Sequence, residues 1–344
     1  ADPGAEGGPE AVSPGAAGPE AVSAEKLAEA VASITEEDFY HRIGVLAHDS
    51  MGGRNTPSPG LEMAAVWAAE EFASIGLEPG GDEGGFIQRW DYTPRGGSGD
   101  QANTVAVPNV VGFLPGSDPE LRNEWVVFTA HFDHVSGPAD ETGDAIYNGA
   151  DDNASGTAAV MELAEAFAML PTPPHRSLAF VLVSGEEKGL LGARHFAQGA
   201  SLPQEAMVAD INADMVSMNW PDSIFVFGGE FTTLGATLEG AISDHPEVGI
   251  SIMENRWPQL PLYRMSDQFA FAQEGIPGIF FFSGLHENLH RPSDELESVD
   301  CDKAARVARL MFHFGYEVAQ APDRPRWTEA GEEMLAEMGV GGTP

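Results

Sequence analysis

From residue 125 onward, short apolar runs alternate with longer segments that carry small and apolar residues at helical spacing. The runs at 125–130, 177–183 and 206–211 predict buried strands, and the segments at 155–169 and 188–197 predict the helices between them. Such alternation is typical of an α/β fold with a mixed, mostly parallel central sheet and helices on both faces.

Further helices and strands are predicted toward both ends of the chain. The capping-box pattern from Thr35 to Asp38 predicts the start of a helix through Leu46, and a second helix is predicted at about 61–75. Further strand-like runs lie at 85–92, 104–113, 223–227, 249–253 and 278–282. Helices are predicted at 232–242 and 302–318, and the segment 266–273 completes the pattern.

The domain organisation follows from the composition. Residues 1–24 alternate Ala, Gly, Pro and Glu without periodic apolar spacing, which predicts a disordered leader. Such a leader suits an exported protein that has lost its signal, so we expect a secreted or periplasmic location. Residues 25–327 are predicted to form a single domain, and residues 328–344 a tail with a short Glu-rich helical piece at 328–338.

Charge and cysteine content exclude several classes of function. The 344 residues include 54 acidic and 17 basic side chains, a formal charge of −37, which argues against nucleic acid as a partner. No apolar run approaches the ~20 residues of a membrane span. The single cysteine, Cys301, allows neither an internal disulfide nor a thiolate zinc site. Oligomeric state is not constrained by the sequence.

Imidazoles and carboxylates follow the predicted strands where each one ends. They lie in the segments His131-Phe-Asp-His134, Gly149-Ala-Asp-Asp-Asn-Ala-Ser-Gly156, Ser184-Gly-Glu-Glu187, Asn212-Ala-Asp214 and His290-Arg-Pro-Ser-Asp294. Because ligands of open α/β sheets bind beyond the carboxyl ends of the strands, we expect these groups to converge. Histidines and carboxylates without thiolate suit zinc, and the same ligand types allow manganese or cobalt.

These five motifs, in this order, resemble those of the two-zinc exopeptidases, the family of bacterial leucine-type aminopeptidases and glutamate carboxypeptidases (metallopeptidase family twenty-eight). The likeness covers about residues 34–327 and implies the zinc exopeptidase, phosphorylase/hydrolase-like fold. Many relatives carry an inserted protease-associated domain, but residues 93–103 leave no room for it. The Met51-Gly-Gly-Arg54 loop resembles a family segment near the active-site rim.

The resemblance also implies a role for each ligand residue. Two zinc ions would share Asp152 as a bridge. His131 and Asp214 would complete one site, and Glu187 and His290 the other. By the family pattern Asp151 takes a turn role, and Asp214 is preferred to Asp210 because Asn-x-Asp-Met matches only at Asn212 to Met215.

Three further residues receive catalytic roles from the resemblance. Glu186 resembles the general base, and Asp133 is placed to accept the second proton of the His131 imidazole. Some relatives have a Tyr directly before the last ligand His, where this chain has Leu289. Tyr263 fits a variant in which a Tyr precedes a Ser-Asp pair, and is therefore the candidate oxyanion donor. His134 and His286 match no ligand position and could contact substrate or serve a structural role.

Together these features predict a zinc-dependent aminopeptidase that hydrolyses the first peptide bond of peptide substrates. Three alternatives remain. A carboxypeptidase for acidic dipeptides would require an Arg cluster, and only Arg264 and Arg291 lie near the site motifs. A glutaminyl cyclase would use one zinc, and an inactive receptor-like homologue typically loses ligands that this chain retains. The sequence does not define the preferred side chain of the substrate.

Overall fold

The computed structural model describes residues 22–94 and 103–340. Most of the predicted leader, residues 1–21, lies outside this part of the chain. Nine helices are described: α1 Ala24–Ala32, α2 Glu36–Leu46, α3 Pro59–Ile75, α4 Gly156–Ala168, α5 Leu191–Ala197, α6 Leu234–Asp244, α7 Gln268–Gln273, α8 Cys301–Gln320 and α9 Glu329–Glu337. Nine strands are described: β1 Glu78–Pro79, β2 Ile87–Tyr92, β3 Val105–Leu114, β4 Trp125–His131, β5 Ser177–Val183, β6 Met207–Ala213, β7 Ser223–Phe227, β8 Ser251–Ile252 and β9 Gly278–Phe282.

The described strands form one mixed sheet in the order β1-β3-β5-β4-β6-β9-β7-β8, with β2 paired to β3. The four central strands, β5, β4, β6 and β9, run parallel to one another. Antiparallel pairs flank them, β3 with β5 on one side and β7 with β9 on the other. The predicted fold class is therefore confirmed, and the carboxyl ends of four neighbouring strands meet along one edge.

Helices cover both faces of the central strands. In β4, Val126 and Phe128 pack into the core under α2, α3, α4 and α8, while Val127 packs on the opposite face with α5 and α7. The Phe128 ring stacks on Phe180 of β5 with centroids 5.4 Å apart. Because successive side chains of a strand point to opposite faces, a strand covered on both sides is apolar throughout. That is why these strands were recognisable as continuous apolar runs.

Some element boundaries differ from the prediction. Helix α5 begins at Leu191 rather than at residue 188, because Gly189 and Leu190 have positive φ angles of 111° and 60° that no helix accommodates. The predicted strand at 249–253 is reduced to β8, which pairs with only Ser223 and Ile224 of β7. Helix α1 was not predicted; Ser23 caps its first turn.

In the tail, Met334 and Leu335 of α9 are buried in an apolar cluster with Phe225, Phe227 and Phe280 of the sheet.

Among the described residues, no helix combines the length and apolarity that crossing a membrane requires.

Arg54 joins the amino-terminal loop to the segments that carry site residues. Its guanidinium is fully buried and donates to the backbone carbonyls of Leu46, Phe132, Asn148 and Gly149. Burial lowers the pKa of Arg54 to about 10, and nearby carboxylates, Asp294 first, partly offset that effect. The loop that resembles the family's rim segment therefore stabilises, through Arg54, the backbone segments that carry site residues.

We expect Arg54→Met to lower the free energy of unfolding by at least about 3 kcal/mol, because several buried carbonyls lose their donor at ~1–3 kcal/mol each. The measurement is urea unfolding followed by tryptophan fluorescence. Arg89→Met is the matched control: Arg89 is exposed and pairs with the exposed Glu62 at 2.6 Å, so its loss should change stability by less than about 0.5 kcal/mol. Equal losses in the two variants would contradict the supporting role of Arg54.

Candidate metal centre

The predicted ligand residues converge at the carboxyl edge of the central strands. His131 is the last residue of β4, Asp214 directly follows β6, and Glu187 lies in the loop after β5. His290 comes from the loop after β9, where its backbone adopts a φ of 56°. A left-handed conformation is uncommon for a residue other than glycine, and such strain is concentrated at functional sites.

Asp152 reaches this edge from the turn Ala150–Ser155, which precedes α4. The Asn153 side chain fixes that turn: it donates to the Ala213 carbonyl and accepts from the Met215 N–H at 3.0 Å. At Gly156, an added Cβ would lie 2.2 Å from the Ala213 carbonyl oxygen. Glycine thus lets the start of α4 pack directly against the end of β6, which brings Asp152 close to Asp214.

The first group of candidate ligands is His131, Asp152 and Asp214. The Nε2 atom of His131 lies 3.2 Å from Asp214 Oδ1 and 3.4 Å from Asp152 Oδ1. The other oxygen of Asp214 accepts from the Ser266 hydroxyl at 2.7 Å, which fixes the carboxylate plane. Asp210, the rival of Asp214 in the sequence, is buried within β6 and accepts from Thr129 instead.

The second group is built around the other oxygen of Asp152. Asp152 Oδ2 lies 3.1 Å from His290 Nε2, and Glu187 Oε1 lies 3.2 Å from the same nitrogen. His134 belongs to this group as well, since its Nδ1 is 3.3 Å from Glu187 Oε1. Asp152 therefore presents one oxygen to each group, which is the placement that a bridging carboxylate requires.

The residues of both groups fit metal ions. Asp133, Asp151, Asp152, Asp214 and Asp267 are all buried here. Buried carboxylates that repel one another are costly without a compensating cation. Moreover, Glu187 Oε1 and both His134 ring nitrogens are buried without a hydrogen-bond partner among the described residues. Imidazole nitrogens and carboxylate oxygens are among the ligand types that zinc binds in proteins.

Glu186 lies beside both groups but belongs to neither, and its side chain lines the cavity over the site. Burial raises the pKa of the Glu186 carboxyl well above its usual range, and the carboxylates of Asp267 and Asp214 raise it further against the effect of His131. Positive charge bound nearby would lower that pKa again. A carboxyl in this position can exchange a proton with a molecule in the cavity.

Asp133 acts on His131 differently from the prediction. The His131 Nδ1 atom is 3.1 Å from the backbone carbonyl oxygen of Asp133 and 3.8 Å from its carboxylate. The carboxylate is engaged elsewhere: it accepts from the Thr56 hydroxyl at 2.7 Å and from the Glu186 N–H at 3.3 Å. The predicted acceptor is thus corrected from the side chain to the carbonyl, and the side chain positions the backbone of Glu186.

The structure does not bring Tyr263 to the predicted ligands. Its hydroxyl donates to the Gly278 carbonyl at 3.2 Å, and its ring packs edge-on against Phe231. Its neighbours Leu262 and Arg264 line the cavity, whereas Tyr263 does not. Burial raises the pKa of this hydroxyl. The placement corrects the predicted oxyanion role: the spacing to Ser266-Asp267 fits the motif, but the aromatic cluster holds the ring away from the site.

One supporting residue, Asp294, has no role in the prediction from sequence. Asp294 accepts from the N–H groups of Asp151 and Asp152 at 2.9 and 3.0 Å, so the last motif ties the His290 loop to the Asp152 turn. Asp151 accepts from Ser217 and lies 3.1 Å from His286, outside both groups of candidate ligands. The motif that contains Asp294 could have indicated its role, because a carboxylate near a ligand loop commonly fixes it.

A cavity of about 400 Å³ opens over the two groups. Its wall away from the ligands is apolar, formed by Met215, Leu262, Met265, Phe280, Phe282, Leu285 and Leu289. Arg264 is the one guanidinium among the described lining residues, and its side chain is 43% exposed. The cavity therefore combines candidate ligands and one titratable carboxyl with a hydrophobic pocket.

An α/β sheet with histidine and carboxylate ligands at its carboxyl edge is typical of metal-dependent hydrolases. The model of peptidase family M28 matches residues 109–315, which is more than half of the chain, so the protein belongs to this family. A protein of Pyrenophora tritici-repentis named probable zinc metalloprotease is 26% identical over 88% of this chain and 78% of its own. A probable leucine aminopeptidase of Trichophyton verrucosum is 26% identical over 62% of this chain and 58% of its own.

Solved structures share the fold. The LapA aminopeptidase of Legionella pneumophila matches with a TM-score of 0.66 at 19% identity, over 92% of this chain and 81% of its own. A glutaminyl cyclase of Porphyromonas gingivalis matches with a TM-score of 0.62 at 15% identity, over 82% of this chain and 98% of its own. Because both enzyme types have this fold, the choice between them depends on the site.

Proposed function

We propose that this protein is a two-zinc aminopeptidase. His131, Asp152 and Asp214 would hold one ion, and Asp152, Glu187 and His290 the other. The observation that carries the proposal is the position of Asp152, whose two oxygens lie 3.4 and 3.1 Å from the ring nitrogens of His131 and His290. Bound zinc would supply a water of lowered pKa and polarise the substrate carbonyl.

Glu186 is the proposed general base. Its carboxylate accepts a proton from the attacking water and then delivers that proton to the amine that leaves. Asp133 supports this role because its carboxylate accepts a hydrogen bond from the Glu186 N–H. The Thr56 hydroxyl donates to the same carboxylate and holds it in place. The site thus separates the groups that would bind metal from the group that moves the proton.

The apolar wall of the cavity supports an apolar side chain at the amino-terminal position of the substrate. A volume of about 400 Å³ accommodates one large side chain together with the reacting peptide group. The relative named probable leucine aminopeptidase is consistent with that preference. A carboxypeptidase for acidic dipeptides would require clustered cations, and Arg264 instead lies 3.9 Å from Glu337 at the surface.

We expect the purified zinc-loaded protein to hydrolyse leucine and phenylalanine anilides with a kcat/KM at least ~10-fold higher than the alanine anilide, because each extra buried methylene contributes about 0.8 kcal/mol. The measurement is initial-rate kinetics on a panel of amino-acid anilides and short peptides. The matched substrates are the same peptides with an acetylated amino end, which should not be cleaved from that end.

Other outcomes of the panel select the alternatives. Release of the first residue from acetylated peptides would contradict aminopeptidase action. Cyclisation of amino-terminal glutamine without peptide cleavage would favour a glutaminyl cyclase. Loss of a carboxyl-terminal acidic residue would favour the carboxypeptidase. A secreted or periplasmic location stays a prediction, which cell fractionation with an antibody to the protein would test.

A further inference from the structure

His134 lies three residues beyond His131, the last residue of β4, and is not among the metal ligands proposed above. Its side chain is fully buried, yet neither ring nitrogen has a hydrogen-bond partner among the described residues. A buried polar group without a partner is rare in folded proteins and calls for an explanation such as an unseen ion.

The chain is built closely around this ring. Gly149, which has a φ of 58°, passes so near that a Cβ there would lie 2.6 Å from the His134 Cγ atom. The ring of His290 lies 5.7 Å away at an angle of 70°. The imidazole therefore has little freedom to turn toward another partner, and its Nδ1 faces the second group of candidate ligands.

The distances around that group match one coordination sphere. His134 Nδ1 lies 3.3 Å from Glu187 Oε1 and 3.6 Å from Asp152 Oδ2. His290 Nε2 lies 3.2 and 3.1 Å from the same two oxygens. In a tetrahedron with zinc–ligand bonds of ~2.0–2.1 Å, neighbouring donor atoms are about 3.3 Å apart. Both imidazoles thus occupy ligand positions relative to the same pair of carboxylate oxygens.

We propose that His134 is a fourth protein ligand of the second site, with Asp152, Glu187 and His290. This proposal rests on the proposed two-zinc function and adds a ligand to it. The first site then has three protein ligands and the second has four. Because closed four-ligand sites are typical of zinc held permanently and three-ligand sites of catalytic zinc, the second site should bind zinc more tightly.

The test is a zinc titration of metal-free protein against a chromophoric chelator, for the wild type, His134→Gln and His286→Gln. We expect two binding events in the wild type. In His134→Gln, the dissociation constant of the tighter event should rise at least ~10-fold, which is the lower limit for losing even a supporting group of a metal site. His286→Gln is the matched control, since His286 is also a histidine with unpartnered buried nitrogens but lies against Asp151 outside both groups.

Each outcome has one meaning. Unchanged zinc affinity in a folded His134→Gln protein, or an equal loss in both variants, would overturn the ligand role. The number of binding events in the wild type tests the two-zinc function separately: a single event would overturn that function, while the ratio of His134→Gln to wild-type affinity would still decide the role of His134.

A measurement on the unaltered protein covers the case in which His134→Gln does not fold. Zinc X-ray absorption counts imidazoles from their multiple scattering, and the proposal requires His131, His134 and His290, three imidazoles for two ions. A fit with two imidazoles for two ions would exclude His134.

Discussion

Removal of bound metal by a chelator is expected to abolish hydrolysis, and added zinc is expected to restore it. Without cations, the carboxylates of Asp152, Asp214 and Glu187 face imidazoles that can neutralise them only when protonated. In that metal-free state, contacts with Asp152 and Glu187 raise the pKa of His290 to about 10. The site can then persist as a set of ion pairs, but it has nothing that lowers the pKa of water or polarises a carbonyl.

Metal removal should also lower stability. An ion that binds only the folded chain stabilises it by about 4 kcal/mol at a concentration 1,000 times its dissociation constant. We therefore expect the thermal midpoint to fall on chelation and to recover with zinc. Magnesium is the control ion and should restore neither property, because it prefers oxygen ligands in octahedral geometry to imidazole nitrogen. Full activity in protein shown by elemental analysis to be metal-free would contradict the proposed function.

Glu186→Gln is expected to lower kcat by at least ~10² while zinc content stays unchanged. The amide preserves the shape and the hydrogen-bonding capacity of the side chain, but it cannot accept a proton from water at neutral pH. Glu186 belongs to neither group of candidate ligands, so its charge is not needed to hold an ion.

Glu187→Gln is the matched variant, one residue further along the same loop. It replaces an anionic donor, 3.2 Å from His290 Nε2, by a neutral one. Zinc should bind more weakly at the second site, and activity should partly return with excess zinc. Metal content and kcat are measured together for both proteins. Loss of zinc in Glu186→Gln with full retention in Glu187→Gln would show that the two roles are exchanged.

The sheet was predictable because its central strands are covered on both faces. β5 and β9 were expected at 177–183 and 278–282, which are their observed bounds, since a strand buried on both sides is a continuous apolar run between polar turns. Boundaries were less accurate where backbone conformation overrides the pattern, as at Gly189 and Leu190 before α5. The length of the edge strand β8 was overestimated, because that length depends on pairing with a neighbouring strand that the local sequence does not specify.

The sequence by itself determined which residues reach the carboxyl edge: His131, Asp152, Glu187, Asp214 and His290 follow their strands or turns by short, local spacings, and parallel strands place those ends together. Only the tertiary structure decided which atoms face one another there. It gave His131 the carbonyl of Asp133 rather than its carboxylate, directed the Tyr263 hydroxyl to Gly278, and set His134 beside Glu187. The physical reason is that a side chain in a loop takes its direction from the segments packed around it, and those contacts join residues far apart in the chain.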